Sequence, residues 1–206
     1  MMDARRFREA AAALVAVGRF CYERGWLPAT SGNLSARLDA RSIAITVSGR
    51  HKGELDETGF MRLDLDGDAL SPDVRPSAEA ELHRMLYRRD PTIGAVLHTH
   101  SVASTVLSRL GGTVLRLHDY EVLKAFPGVV THHTVLEIPI FPNDQDIPRL
   151  AEQVACMLEA CPALPGYLIA GHGLYTWGDD VASARRALEA FEFLFECEIL
   201  TRRMSG

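Results

Sequence analysis

The sequence predicts a single-domain α/β fold, an α-β-α sandwich whose central sheet is mainly antiparallel. Three observations lead there. Short strand-like apolar runs are mixed unevenly with segments of helical periodicity. At 206 residues the chain can bury one sizeable core but not two ordinary ones, so residues 1–206 read as one unit. No repeat, low-complexity tract or Gly-, Ser- or Pro-rich linker divides it.

The elements follow in order. Phe7, Ala11, Leu14, Val15 and Phe20 recur at helical spacing over residues 4–24, and Gly25 and Pro28 end that helix. Strands are expected over 33–38, 43–47 and 59–65, separated by turn-formers such as Asp39, Gly49, Gly53 and Gly67. A helix over 77–89 has Ser77 as its N-cap after Pro76. The apolar run 93–97 is a buried strand, and a helix over 102–110 stops at Gly111-Gly112. Next come a strand over 114–117, a short helix over 120–126 and strands over 129–134 and 136–141. A helix over 146–160, strands over 167–170 and 174–177, and a last helix over 180–204 complete the chain. That helix sets Val181, Ala184, Leu188, Phe191 and Phe195 on one face.

Composition narrows the function. A 47% hydrophobic and 24% charged chain is an ordinary globular one, which excludes collagen, coiled coil and disorder. Lys plus Arg number 22 against 27 Asp plus Glu, for a net charge of -5, so a nucleic-acid partner is not expected. Cys21, Cys156, Cys161 and Cys197 lack Cys-x-x-Cys spacing and read as buried, reduced thiols. Residues 1–20 have no leader layout and no run long enough to span a bilayer, so the expected location is the cytoplasm, away from membranes. Dinucleotide, P-loop, nucleophile-elbow and His-Glu-x-x-His motifs are all absent.

The histidines carry the first positive signal. His98 and His100 sit two apart at the end of the apolar run 93–97, so in a strand both rings face the same side. Two imidazoles seldom hold a metal alone. His172, between Gly171 and Gly173 and directly after the apolar 167–170, is the best third ligand. His51, His83, His118, His132 and His133 are rivals, with His51 and His83 read as surface or helix residues. Three histidines without a fourth would leave an open position, as in catalytic rather than structural zinc sites.

Other polar groups have ordinary readings when taken singly. Glu79 is a first-turn acid near the helix dipole, although it shares a face with Leu82 and Leu86. Glu121 is likewise a first-turn acid, after His118-Asp119-Tyr120. The turns Thr30-Ser31-Gly32-Asn33 and Ser48-Gly49-Arg50-His51-Lys52-Gly53, with Ser77, offer the backbone N–H groups and hydroxyls that suit a phosphate monoester.

Ser31-Gly32-Asn33-Leu34-Ser35, Thr46-Val47-Ser48-Gly49, Pro76-Ser77-Ala78-Glu79, His98-Thr99-His100 and Gly171-His172-Gly173 occur in that order. In this the chain resembles the class II aldolase and sugar-phosphate epimerase superfamily, from about Phe7 to Leu200. The stretches 118–121, 139–147 and 172–178 are similar to the branch that dehydrates methylthioribulose 1-phosphate in methionine salvage, more than to the aldolases. The resemblance implies a class II aldolase-like fold and one zinc ion per subunit on His98, His100 and His172. It implies a sugar phosphate held around Gly32, Asn33, Ser48, Gly49 and Ser77, in a homotetramer with active sites between subunits. Glu121 is implied as the general acid/base, with Glu79 touching the metal or moving protons. Some dehydratases of that branch carry a cysteine near the Glu79 position, which this chain lacks.

The implied reaction is a dehydration in which a Lewis acid polarises the C2 carbonyl of a 1-phospho-2-ketose and Glu121 takes the C3 proton. A zinc aldolase or 4-epimerase on a ketose or pentulose phosphate is the rival enzyme reading. A non-catalytic, adducin-head-like binding domain is the rival of another class, and that branch lacks the metal histidines.

Overall fold

The computed structural model describes residues 2–67, 74–110 and 112–204, with side chains from residue 4 onward. Its elements are α1 (Met2–Glu23), β1 (Asn33–Arg37), β2 (Ser42–Thr46), β3 (Phe60–Asp64), α2 (Ala80–Arg89), β4 (Ala95–Thr99) and α3 (Val102–Leu107). These are followed by β5 (Val114–Leu117), β6 (Leu136–Phe141), α4 (Ile147–Ala160), β7 (Gly166–Ile169), β8 (Gly173–Gly178) and α5 (Val181–Met204). The strands form one sheet in the order β3-β2-β1-β4-β8-β7-β6-β5. Every neighbouring pair is antiparallel except β6 and β7.

Alternation along the strands divides the core in two. Leu34, Leu97, Leu168 and Leu174 meet residues of α1, α3 and α5 on one face. Ile43, Val96, Tyr167 and Tyr175 meet α2 and α4 on the other. The expected sandwich is therefore the observed one. β4 lies mid-sheet and is buried throughout, which is why its sequence shows an unbroken apolar run before His98. Register places Asn33 opposite His98, and His98 opposite Tyr175, so three adjacent strands carry a row of polar groups on the α2 face.

Several expectations need correction. Ser77 does not cap α2: the helix begins at Ala80 with Glu79 at the N-cap position. Ser77 Oγ instead accepts the Glu79 backbone N–H at 3.3 Å, in a turn closed by Ala80 N–H on the Ser77 carbonyl. Residues 129–134 form no strand. β5 already occupies the edge of β6, and Val130 is left exposed. The 120–126 segment is a 3-10 turn over Glu121–Ala125 rather than an α-helix. Of the cysteines only Cys21 is buried, its thiol pushed up to about 12 by desolvation; Cys156 and Cys161 are exposed and Cys197 is half-buried, all four unpaired. α3 ends at Leu107, before the expected glycines, of which Gly111 lies outside the described residues.

Candidate metal centre

β4 delivers His98 from within the strand and His100 one residue beyond it, both toward α2. The turn between β7 and β8 delivers His172. α3 pins that turn, with Ser108 Oγ accepting from Gly171 N–H at 2.9 Å and Thr105 Oγ1 donating to the His172 carbonyl at 3.0 Å. Glycine is required where these strands meet, because a Cβ on Gly173 would lie 1.9 Å from the Thr99 carbonyl oxygen. Gly32 has φ +72, and a Cβ there would lie 2.6 Å from the His98 carbonyl oxygen. Both positions let the backbone approach the ligand strand.

Glu79, His98, His100 and His172 converge with one ligand atom each, all within 4.8 Å of one another. His98 Nε2 lies 2.8 Å from His100 Nε2 and 3.2 Å from His172 Nε2. Glu79 Oε2 is 3.3 Å from His98 Nε2, and Oε1 is 3.0 Å from His172 Nε2. Ligand atoms on a tetrahedral zinc ion would be about 3.4 Å apart, so this spacing suits one small divalent cation.

Protonation fits the same purpose. His98 Nδ1 donates to the Leu174 carbonyl at 2.9 Å, and His172 Nδ1 to Asn143 Oδ1 at 3.3 Å, which leaves both Nε2 lone pairs facing the centre. Burial lowers His98 to about 4 and His100 to about 3, keeping both rings neutral as ligands must be. Burial pushes the Glu79 carboxyl up. Positive charge at the His98 and His172 edge, which a bound cation would supply with the rings neutral, and the Asn33 amide outweigh it and hold Glu79 well below the usual carboxylate range. The His98 ring stacks on Tyr175 at 4.0 Å between centroids, and Tyr175 on Tyr167 at 5.0 Å, so the middle imidazole of the cluster has a rigid aromatic backing.

Beside the cluster lies a cavity of about 290 Å³. Gly32, Asn33, Ser48, Gly49 and Ser77 all line it, together with Glu79 and His100. An isolated bridge between Val47 and Pro76 brings Ser48 and Ser77 to the same wall. Lys52, 2% exposed, also lines the cavity and donates to the Thr30 carbonyl at 2.6 Å; burial lowers its ammonium to about 8. A larger groove of about 530 Å³, between Asp90, Trp177 and Arg186, contains none of these residues.

Glu121 is not brought to this centre. It lies on the 3-10 turn with its side chain 72% exposed, paired with Lys124 and 3.9 Å from His132. His83, read from sequence as a surface or helix residue, is fully buried on α2 behind Asn33. The signal that could have found it is its spacing: His83 and Tyr87 lie four apart on α2, among the buried positions Leu82 and Leu86.

The class II aldolase and adducin N-terminal domain model matches residues 12–199. A methylthioribulose-1-phosphate dehydratase of Marinobacter nauticus is 55% identical, with 99% of each chain covered. One from Pseudomonas aeruginosa is 58% identical over 93% of this chain and 94% of its own. Among solved structures, the L-fuculose-1-phosphate aldolase of Thermus thermophilus superposes with a TM-score of 0.78 at 25% identity, covering 98% of this chain and 97% of its own. The ligand cluster, the sandwich that positions it and these likenesses agree: the chain belongs to the class II aldolase and adducin N-terminal domain family.

Proposed function

We propose that the protein is a metal-dependent hydro-lyase that converts 5-methylthioribulose 1-phosphate to 2,3-diketo-5-methylthiopentyl 1-phosphate and water, in methionine salvage. The observation that carries this reading is the convergence of Glu79, His98, His100 and His172 beside a hydroxyl- and glycine-lined cavity. Relatives more than half identical over nearly the whole chain, named for that reaction, support it.

His98, His100 and His172, with Glu79, would hold one zinc ion per chain. When bound, the ion supplies Lewis-acid stabilisation of negative charge on the ketose oxygens. The residues do the rest. Gly32, Asn33, Ser48, Gly49 and Ser77 bind the phosphate, so that C1 is anchored and C2 and C3 lie toward the histidines. Ser77 Oγ accepts from both Asn33 Nδ2 and Glu79 N–H, which leaves its own proton for a phosphate oxygen. Glu121 takes the proton from C3 and returns it as the C4 hydroxyl departs as water; the enol formed becomes the C3 ketone.

Glu121 is far more exposed than a general base working within its own subunit. It serves in a homotetramer whose active sites lie between chains. Exposed Val102 and Val106 on α3, directly after His100, support such an interface. Among the described residues no helix is long and apolar enough to cross a membrane. The location we propose is the cytoplasm.

Incubation of the zinc-loaded protein with methylthioribulose 1-phosphate tests the reading. Mass and NMR analysis should find one diketone phosphate lighter by one water. An aldehyde and a shorter ketose phosphate would make it an aldolase, and recovery of unchanged substrate would favour a binding domain.

A further inference from the structure

Behind Glu79 and Asn33 runs a buried polar chain of three residues, His83, Ser35 and Tyr87, that take no part in that chemistry. Tyr87 Oη lies 2.9 Å from Ser35 Oγ, and Ser35 Oγ lies 2.7 Å from His83 Nδ1. His83 Nε2 bonds Asn33 Oδ1, and Asn33 Nδ2 donates to Glu79 Oε2 at 2.7 Å. Ser35 and His83 are wholly buried and Tyr87 nearly so, in contact with the core of α2 and α4. Polar side chains in such a place are costly unless every one is paired.

The donor inventory permits one arrangement of protons. An ionised carboxylate only accepts, so Asn33 turns its NH2 to Glu79 and its carbonyl to His83. That carbonyl also only accepts, so His83 carries a proton on Nε2. Burial keeps the ring neutral, lowering it to about 4, so Nδ1 is a bare lone pair. Ser35 must therefore donate to Nδ1, and Tyr87 to Ser35. Every proton points toward Glu79. Reversing any one member sets two acceptors or two donors face to face.

We propose that His83 is a positioning residue: by holding the Asn33 amide in one orientation, it sets which oxygen of Glu79 is free to meet metal and substrate. Oε2, 3.3 Å from His98 Nε2, already accepts from Asn33 and from Tyr175 Oη at 3.1 Å, whereas Oε1 faces His172 Nε2 at 3.0 Å. The same orientation lets Asn33 Nδ2 donate to Ser77 Oγ at 3.1 Å, linking the metal edge to the phosphate wall. The inference rests on the reading of Glu79 as part of the metal centre.

The test uses the full chain with 15N-labelled histidine. Long-range 15N–1H NMR should find His83 neutral and protonated on Nε2; an Nδ1-protonated or doubly protonated ring at neutral pH overturns the proposal. A second arm compares His83→Leu with His83→Gln, since only glutamine can still donate to Asn33. The leucine variant should lose about 10- to 100-fold in kcat, with KM changed little, and should alter the visible spectrum of the Co2+-loaded protein. The glutamine variant should restore both. A leucine variant with wild-type spectrum and kcat overturns the proposal. If His83→Leu fails to fold, Ser35→Ala replaces it: persistence of the neutral, Nε2-protonated ring, which the Asn33 carbonyl dictates, supports the proposal, and a switch of the proton to Nδ1 overturns it. Should no variant and no wild-type protein act on the ketose phosphate while the ring and the Co2+ spectra behave as stated, the functional reading fails and the positioning role stands.

Discussion

The His98 ring is fixed on three sides: the Leu174 carbonyl at Nδ1, the Tyr175 face beside it, and the His100 and His172 nitrogens at Nε2. In the proposed centre it is the middle imidazole, within 3.2 Å of both others. His98→Ala is therefore expected to abolish both bound zinc and turnover, checked by metal analysis and by product formation. Glu121→Gln separates the roles: zinc should stay at wild-type content while turnover falls by at least about 100-fold, the usual scale for losing a general acid/base. A variant with normal rate would remove Glu121 from the mechanism. For single residues the sequence was informative where ligand types are rare and spaced by strand geometry, as in His98-Thr99-His100. For His83 its only signal was the place beside Leu82 and Leu86 and four before Tyr87, because a helical histidine taken alone looks the same whether it faces solvent or a buried amide. Spacing marked Glu79 only as a first-turn acid, and the family resemblance alone put it near the metal; what turns its carboxylate into the site is the Ser77 turn, a tertiary feature built on the bridge from Val47 to Pro76.

The strands and turns that carry the ligands have little tolerance. A methyl group on Gly173 would collide with the backbone of β4, which cannot move aside as a flexible side chain could. Gly173→Ala is expected to destabilise the fold by about 3 kcal/mol or more, read as a lower urea midpoint, and to weaken zinc binding by shifting His172 away from His98. Periodicity identified β1, β2, β4 and the long helices well, since each buries a regular stripe or run. It failed at 129–134, where Val129 and Val130 suggest a strand but the edge of β6 already pairs with β5. Sheet occupancy is a property of the assembled fold and leaves no mark in six residues.

Across the whole molecule, the cost of keeping imidazoles neutral in the core emerges as a pH dependence. His83 is held at about 4, below its ordinary value of 6.5, so the unfolded chain binds more protons between those limits. Stability contributed by the neutral ring is full above about pH 6.5 and is lost as pH falls toward about 4, at up to about 1.4 kcal/mol per pH unit. His98 and His100 add losses of the same sign in metal-free protein. Urea unfolding in chelator should thus show a steep drop between about pH 6.5 and pH 4, and saturating zinc should shift that drop to lower pH. An unchanged midpoint across that interval would contradict the buried, neutral state of these rings.

The expectations for zinc content and turnover depend on the proposed ion at the junction of β4 and the turn after β7. Equilibrium titration of chelator-treated protein with Co2+, followed by absorbance, addresses that junction directly. Binding should saturate at one ion per chain, with tetrahedral-type bands that His172→Ala abolishes; no saturable binding, or an unaltered spectrum in that variant, would contradict a shared three-histidine centre.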